Sequence, residues 1–170
     1  SILLVGESGV GKTTLLHKAA KELGQGPAGE PRVWQSSASR LISGMRYLGE
    51  WEERCLEAVR ELQGFSGILC IDSLRDLISA GGRDASSSIG AFLVPLLQKG
   101  DLQLVIEATP SEWLACRQLL PELAECLQIV RVPNFERNEA ISVLEIMLNR
   151  AQQRYRFQMG SGLAETIYSL

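Results

Sequence analysis

The residues that most constrain this chain are Gly6-Glu7-Ser8-Gly9-Val10-Gly11-Lys12-Thr13. They match G-x-x-x-x-G-K-[ST], and they stand between an apolar run at 2–5 and a helical spacing of Leu15, Leu16, Ala19, Ala20 and Leu23, the strand-then-helix setting that the pattern requires. Glycines let the backbone fold close around a phosphate, so that successive amide hydrogens point inward and a helix N-terminus adds its partial positive charge. The bland alternative is a chance glycine turn before a helix, which leaves the element on each side unexplained. The loop predicts ATP and Mg2+ as ligands. Lys12 is expected on the β and γ phosphates and the Thr13 hydroxyl on magnesium. Gly6, Ser8, Gly9, Val10, Gly11 and Thr14 complete the expected nucleotide contacts.

Downstream, apolar runs and helical spacings alternate. Strands are expected at 33–35, 67–71, 102–108 and 127–132, and helices at 12–23, 49–62, 89–98, 111–120 and 137–155, the last with Ala140, Ile141, Leu144 and Leu148 on one face. Residues 79–88, rich in glycine and serine, are expected to be a flexible loop. Alternating strands and helices imply an α/β fold with a central parallel five-stranded sheet covered on both sides. Pro133 and Asn134 mark the end of that sheet, dividing the chain into 1–133 and a helical piece at 134–170.

Composition narrows the partners. With 170 residues, 45% hydrophobic and 22% charged, the chain can bury one core. A formal charge of −3 gives no field that draws the whole molecule to nucleic acid or an anionic membrane. Cys55, Cys70, Cys116 and Cys126 lack the spacing and histidine partners of a zinc site and read as small buried hydrophobes. No apolar stretch has the ~20 residues of a membrane span, and no leader pattern opens the residues given, so a reducing, cytoplasmic setting is expected. The start at Ser1 within an apolar run suggests a fragment of a longer protein. His17, the sole histidine, reads as a solvated helix residue.

Holding phosphate does not hydrolyse it. Magnesium also needs a carboxylate, and the attacking water needs a group to orient and activate it. Asp72, after the apolar run at 68–71, suits the first task. The next residue is Ser73, and a neutral hydroxyl is no comparable base. Glu107 is the other candidate, on the strand expected at 102–108, but its direction depends on strand register.

The segment Gly44-Met45-Arg46-Tyr47-Leu48-Gly49-Glu50-Trp51-Glu52-Glu53-Arg54 resembles the first ATPase domain of Clp-type protein unfoldases and disaggregases, members of the AAA+ superfamily. The likeness continues through the loop after Asp72, through Ile106-Glu107-Ala108-Thr109-Pro110, and into 138–155. It implies a P-loop AAA+ three-layer α/β/α domain followed by the start of a helical lid, homo-oligomeric rings with ATP between subunits, a polypeptide client threaded through a pore, and a protease or adaptor as a further partner. It also implies that Tyr47 is the pore aromatic, against the plainer reading of a tyrosine packed at a helix start, and it adds Ile141 to the nucleotide contacts. Residues 79–88 would face the same channel or form a solvated linker. Three positions depart from the family pattern. Ser73 stands where the family has glutamate. Pro110 stands where it has a phosphate-sensing threonine, with Thr109 adjacent. Glu125-Cys126-Leu127 stand where it has paired arginines. An arginine of this kind is worth roughly 10³ to 10⁵ in rate, so weak or absent hydrolysis with retained binding is expected. An active ATPase with a rearranged site, using Glu107 as base, and a nucleotide-gated scaffold or adaptor are the alternatives.

Overall fold

The computed structural model describes residues 1–24, 32–43, 50–156, 160 and 162–169. Two compact units divide the chain, Ser1–Val132 and Pro133–Leu170.

The first unit is organised around two four-residue strands too apolar to face water. Ile2–Val5 (β1) and Ile68–Ile71 (β3) carry no charge, and Leu3, Val5, Cys70 and Ile71 are almost fully enclosed. Strands of this composition require cover on both faces, which is the situation of a parallel sheet. With Val33–Ser36 (β2), Gln103–Ala108 (β4) and Gln128–Arg131 (β5) they form an all-parallel five-stranded sheet in the order β2-β3-β4-β1-β5. The sequence pattern predicts each strand to within one or two residues.

The two faces are unequal. Leu3, Val5, Leu69, Ile71, Leu104 and Ile106 join one large core. Into it pack Glu50–Gln63 (α3), Leu74–Ser79 (α4), Ile89–Lys99 (α5), Pro110–Leu119 (α6) and Pro121–Glu125 (α7). Helix α3 presents Trp51, Cys55, Val59 and Leu62 at helical spacing, and Trp51 meets Phe92 of α5 edge to face at 5.3 Å. Glu50, Glu53, Glu57 and Glu61 lie on its exposed faces, as expected for a wet charged side, whereas Glu52 is half-buried with its Oε2 enclosed. On the other face lies Lys12–Leu23 (α1), and the cluster beneath it is small: Leu4, Leu16 and Cys70, flanked by Val33, Ile68 and Val105. Leu15, expected to face inward, is 46% exposed, because it is Leu16 that packs on the sheet, and Ala20 and Leu23 are half-buried.

Several helices have no counterpart in the sequence reading. Ala38–Leu41 (α2), α4 and α7 have four to six residues, too short for a helical period to register. The 79–88 segment also differs from its expectation. It contains a 3₁₀ turn at Ala85–Ser87 held by the Asp84 carboxylate, which accepts from Ser86 Oγ (2.8 Å), Ser87 N (3.0 Å) and Ser87 Oγ (2.7 Å). Glycine-serine composition signals flexibility only where no side chain gathers the freed backbone groups.

In the second unit Arg137–Tyr155 (α8) has the predicted bounds, and Ala140, Ile141, Leu144 and Leu148 form its half-buried stripe. This helix packs with Leu163–Tyr168 (α9), where Ala164 is buried and Arg137 lies over the Tyr168 ring at 5.9 Å.

Candidate nucleotide site

The site begins where β1 ends. Gly6 donates its amide to Ala108 O (3.1 Å), which ties the start of the loop to the end of β4. A Cβ on Gly6 would lie 2.5 Å from Val132 O and 2.9 Å from Val10 Cγ2, so no side chain fits there. Gly9 and Gly11 have φ of 83° and 93°, left-handed values that glycine adopts without steric cost. Gly11 is also the N-cap of α1, and with no side chain it leaves the first amides of that helix uncapped. These are the groups that an anion satisfies at a helix N-terminus. Lys12 Nζ donates to the carbonyls of Gly6 and Glu7, 2.9 Å each, and this holds its ammonium against the loop. Ser8, Thr13 and Thr14 are exposed, Val10 is buried under the loop, and Glu7 faces solvent.

Three further positions stand just past the ends of β3 and β4. Asp72 follows β3, is exposed, and makes no hydrogen bond or ion pair among the described residues. Ser73 is the N-cap of α4, its Oγ accepting from Asp76 N at 3.1 Å. Thr109 caps α6 in a reciprocal box: Glu112 N donates to Thr109 Oγ1 (3.3 Å) and Thr109 N donates to Glu112 Oε2 (2.8 Å). Arg75 completes this corner, 3.7 Å from the other Glu112 oxygen. Both hydroxyls at the strand ends therefore hold helices.

Glu107 is the residue whose place the sequence leaves open. Leu104, Ile106 and Ala108 point into the large core, so Val105 and Glu107 point to the α1 face. There Thr13 Oγ1 donates to Glu107 Oε2 at 2.7 Å. Glu107 is 5% exposed, and its Oε1 is buried with no hydrogen-bond partner. A buried polar atom left this way costs about 1–3 kcal/mol. Its charge is felt next door: burial first, and Glu107 second, push the Cys70 thiol up to about 11. Ile71 of β3 pairs with Ile106 of β4, so Asp72, one residue past β3, follows the strand that neighbours Glu107. Thr13, Asp72 and Glu107 offer hard oxygen donors, the type that suits magnesium. Among the described residues no three acidic, histidine or cysteine side chains converge as a metal cage. The residues present fit a magnesium nucleotide.

Tyr47 falls outside the described residues. Ile141 lies on α8 in the second unit, half-buried in the stripe described above. His17 is exposed on α1, its Nε2 2.9 Å from Gln35 Oε1. Arg117 on α6 and Arg131 on β5 are the arginines near the 125–127 segment, and both are exposed. All four cysteines are free thiols. Among the described residues no helix is long and apolar enough to cross a membrane. The capping roles of Ser73 and Thr109 were readable in advance, since Ser73-Leu-Arg-Asp76 and Thr109-Pro-Ser-Glu112 follow the spacing of helix-starting boxes.

Comparison with known proteins places the site in a family. The family model "ATPase family associated with various cellular activities (AAA)" matches residues 2–133. Chaperone protein ClpC of Pisum sativum chloroplasts is 30% identical over 160 residues, covering 91% of this chain and 17% of the chaperone. Chaperone protein ClpB of Agrobacterium fabrum is 32% identical over 165 residues, covering 92% and 19%. The chain thus spans less than a fifth of each of these two chaperones. Among solved structures, the extended Hsp104:casein complex of S. cerevisiae superposes with a TM-score of 0.75 at 20% identity, over 92% of this chain and 28% of that one. With its glycine loop, parallel sheet and family match in agreement, the chain belongs to the AAA family of ATPases and is similar, within it, to the Clp-type chaperones.

Proposed function

We propose that this domain binds Mg–ATP within a ring-forming, Clp-like protein that unfolds or remodels polypeptides, and that hydrolysis in this domain is weak or absent. One contrast carries the reading. The loop at 6–13 leaves the amides of α1 uncapped, while the hydroxyls at the ends of β3 and β4 are engaged as helix caps. Magnesium, bound with the nucleotide, would neutralise phosphate charge, and Thr13 and Asp72 would hold it. The chain's own residues then bind and orient. Loop amides and Lys12 cradle the phosphates, as Gly6, Ser8, Gly9, Val10, Gly11 and Thr14 shape the cradle, and Ile141 contributes an apolar contact from the start of a helical lid. Ser73 supplies no charge to activate water, and no arginine stands at 125–127 to reach a neighbouring subunit's ATP.

On this reading ATP stabilises assembly by mass action, and another part of the full protein supplies the power stroke. The ring, the threaded client and the role of Tyr47 as pore aromatic rest on the resemblance to Clp-type proteins. So does a protease or adaptor partner, and a reducing, cytoplasmic setting agrees with four free thiols.

Steady-state phosphate release from ATP by the full-length protein, beside direct nucleotide binding and the Lys12→Ala and Asp72→Asn variants, tests the proposal. Binding with release at the variants' background is the expected result. Release well above that background, falling in both variants, overturns it in favour of an active ATPase.

A further inference from the structure

We propose that Glu107 is a positioning residue for the divalent cation, fixing the Thr13 hydroxyl and adding a second negative charge that makes nucleotide binding depend on magnesium. The inference rests on the ATP-binding reading above and assigns a part to a residue outside the phosphate loop.

The hydrogen-bond inventory leads to it. A threonine hydroxyl has one proton and two lone pairs. Thr13 gives its proton to Glu107 Oε2 at 2.7 Å, so what remains on Oγ1 is lone pairs, and those ligate a cation. The other Glu107 oxygen is buried without a donor, a disfavoured condition for a carboxylate unless positive charge stands nearby. The protein's own cations lie elsewhere: Lys12 binds the carbonyls of Gly6 and Glu7, Arg75 reaches Glu112, and no basic side chain among the described residues pairs with Glu107. Asp72, the residue that follows β3 next to the Glu107 strand, is the second carboxylate at this end of the sheet.

Two other roles fit the geometry less well. A water-activating base needs an oxygen that water can reach, but Oε2 takes the Thr13 hydroxyl and Oε1 is enclosed. A purely structural glutamate would have its charge neutralised locally, whereas this one sits beside Leu4 and Cys70 in the thin apolar layer under α1.

The test measures ATP affinity of the full-length protein in Mg2+ and in EDTA, for the wild type, Glu107→Gln and Glu107→Asp, with a Mn2+ titration of each nucleotide complex followed by paramagnetic resonance. Glutamine keeps the shape and an acceptor for Thr13 but removes the charge. Glu107→Gln is expected to lose about tenfold or more of the gain that Mg2+ confers and to bind Mn2+ correspondingly more weakly, as outer partners of a metal site do. Its affinity in EDTA should be equal to the wild type's or higher, since a negative charge near the phosphates is gone. Glu107→Asp, which keeps the charge, should retain more of the gain. Equal weakening of Glu107→Gln in both buffers, or an unchanged Mg2+ gain, overturns the proposal while leaving ATP binding intact. Failure of the wild type to bind ATP in either buffer removes the ATP reading and this inference with it.

Discussion

Helices α1, α4 and α6 all start at the C-terminal edge of the same sheet, yet their first turns are finished in different ways. Helices α4 and α6 begin with Ser73 and Thr109, whose hydroxyls satisfy amides of the first turn. Helix α1 begins with Gly11, which satisfies none by a side chain. A side-chain cap contributes about 0.5–2 kcal/mol, so leaving α1 without one forgoes stability that its neighbours have. What α1 has in exchange is a set of amides available to an anion. Within one fold, the completeness of a helix start separates a binding end from a structural end.

Lys12→Ala should break the binding end most severely. Losing a charged donor to phosphate, at about 1.5–3 kcal/mol per hydrogen bond, is expected to lower ATP affinity about 100-fold, as read by calorimetry, with little change in melting temperature. Ser73→Glu asks whether a structural end can be turned catalytic. A positioned base contributes about 10²–10⁴ in rate, and a rise near the lower bound is expected because 125–127 still lacks arginine. No rise in phosphate release would locate the deficit at that segment instead. Gly6→Ala sharpens the comparison from the loop side. Its Cβ would press on the Val132 carbonyl, and overpacking of this kind costs about 1–3 kcal/mol, visible as a lower melting temperature together with weaker ATP binding. Ser73→Ala is the mildest: a loss of about 1 kcal/mol from the missing cap, measured by denaturant titration, with phosphate release unchanged.

Much of this was legible in the sequence, for reasons that differ by residue. The runs at β1, β3 and β4 and the stripe Trp51, Cys55, Val59, Leu62 of α3 are long or periodic enough to declare themselves. The glycine loop is recognisable because its chemistry needs fixed spacing. The short helices α2, α4 and α7 carry no period, and their only signals are local: Ser37, Ser73 and Pro121 at their starts. Leu15 misled because adjacent leucines cannot both face the sheet. Glu107 was named as a candidate, but its direction was hidden, since a one-residue slip of β4 would have sent it into the opposite layer. Only the register Leu4 to Glu107 and the hydrogen bond from Thr13 fix it on the loop side. The second unit left a single clear mark, the stripe of α8.

The Asp84 turn has a consequence for how the folded chain meets a protease. Exposed stretches of glycine and serine are ordinarily where nicking begins, because cleavage needs several residues of pliable backbone. Here three donors converge on one carboxylate, and those bonds hold the Asp84 carboxyl below the usual range, the Ser87 hydroxyl foremost and Ser86 next. A scissile bond in 84–87 can enter an active site only after that knot opens. The rate of cutting there therefore follows the opening of one side-chain cluster and not the local composition.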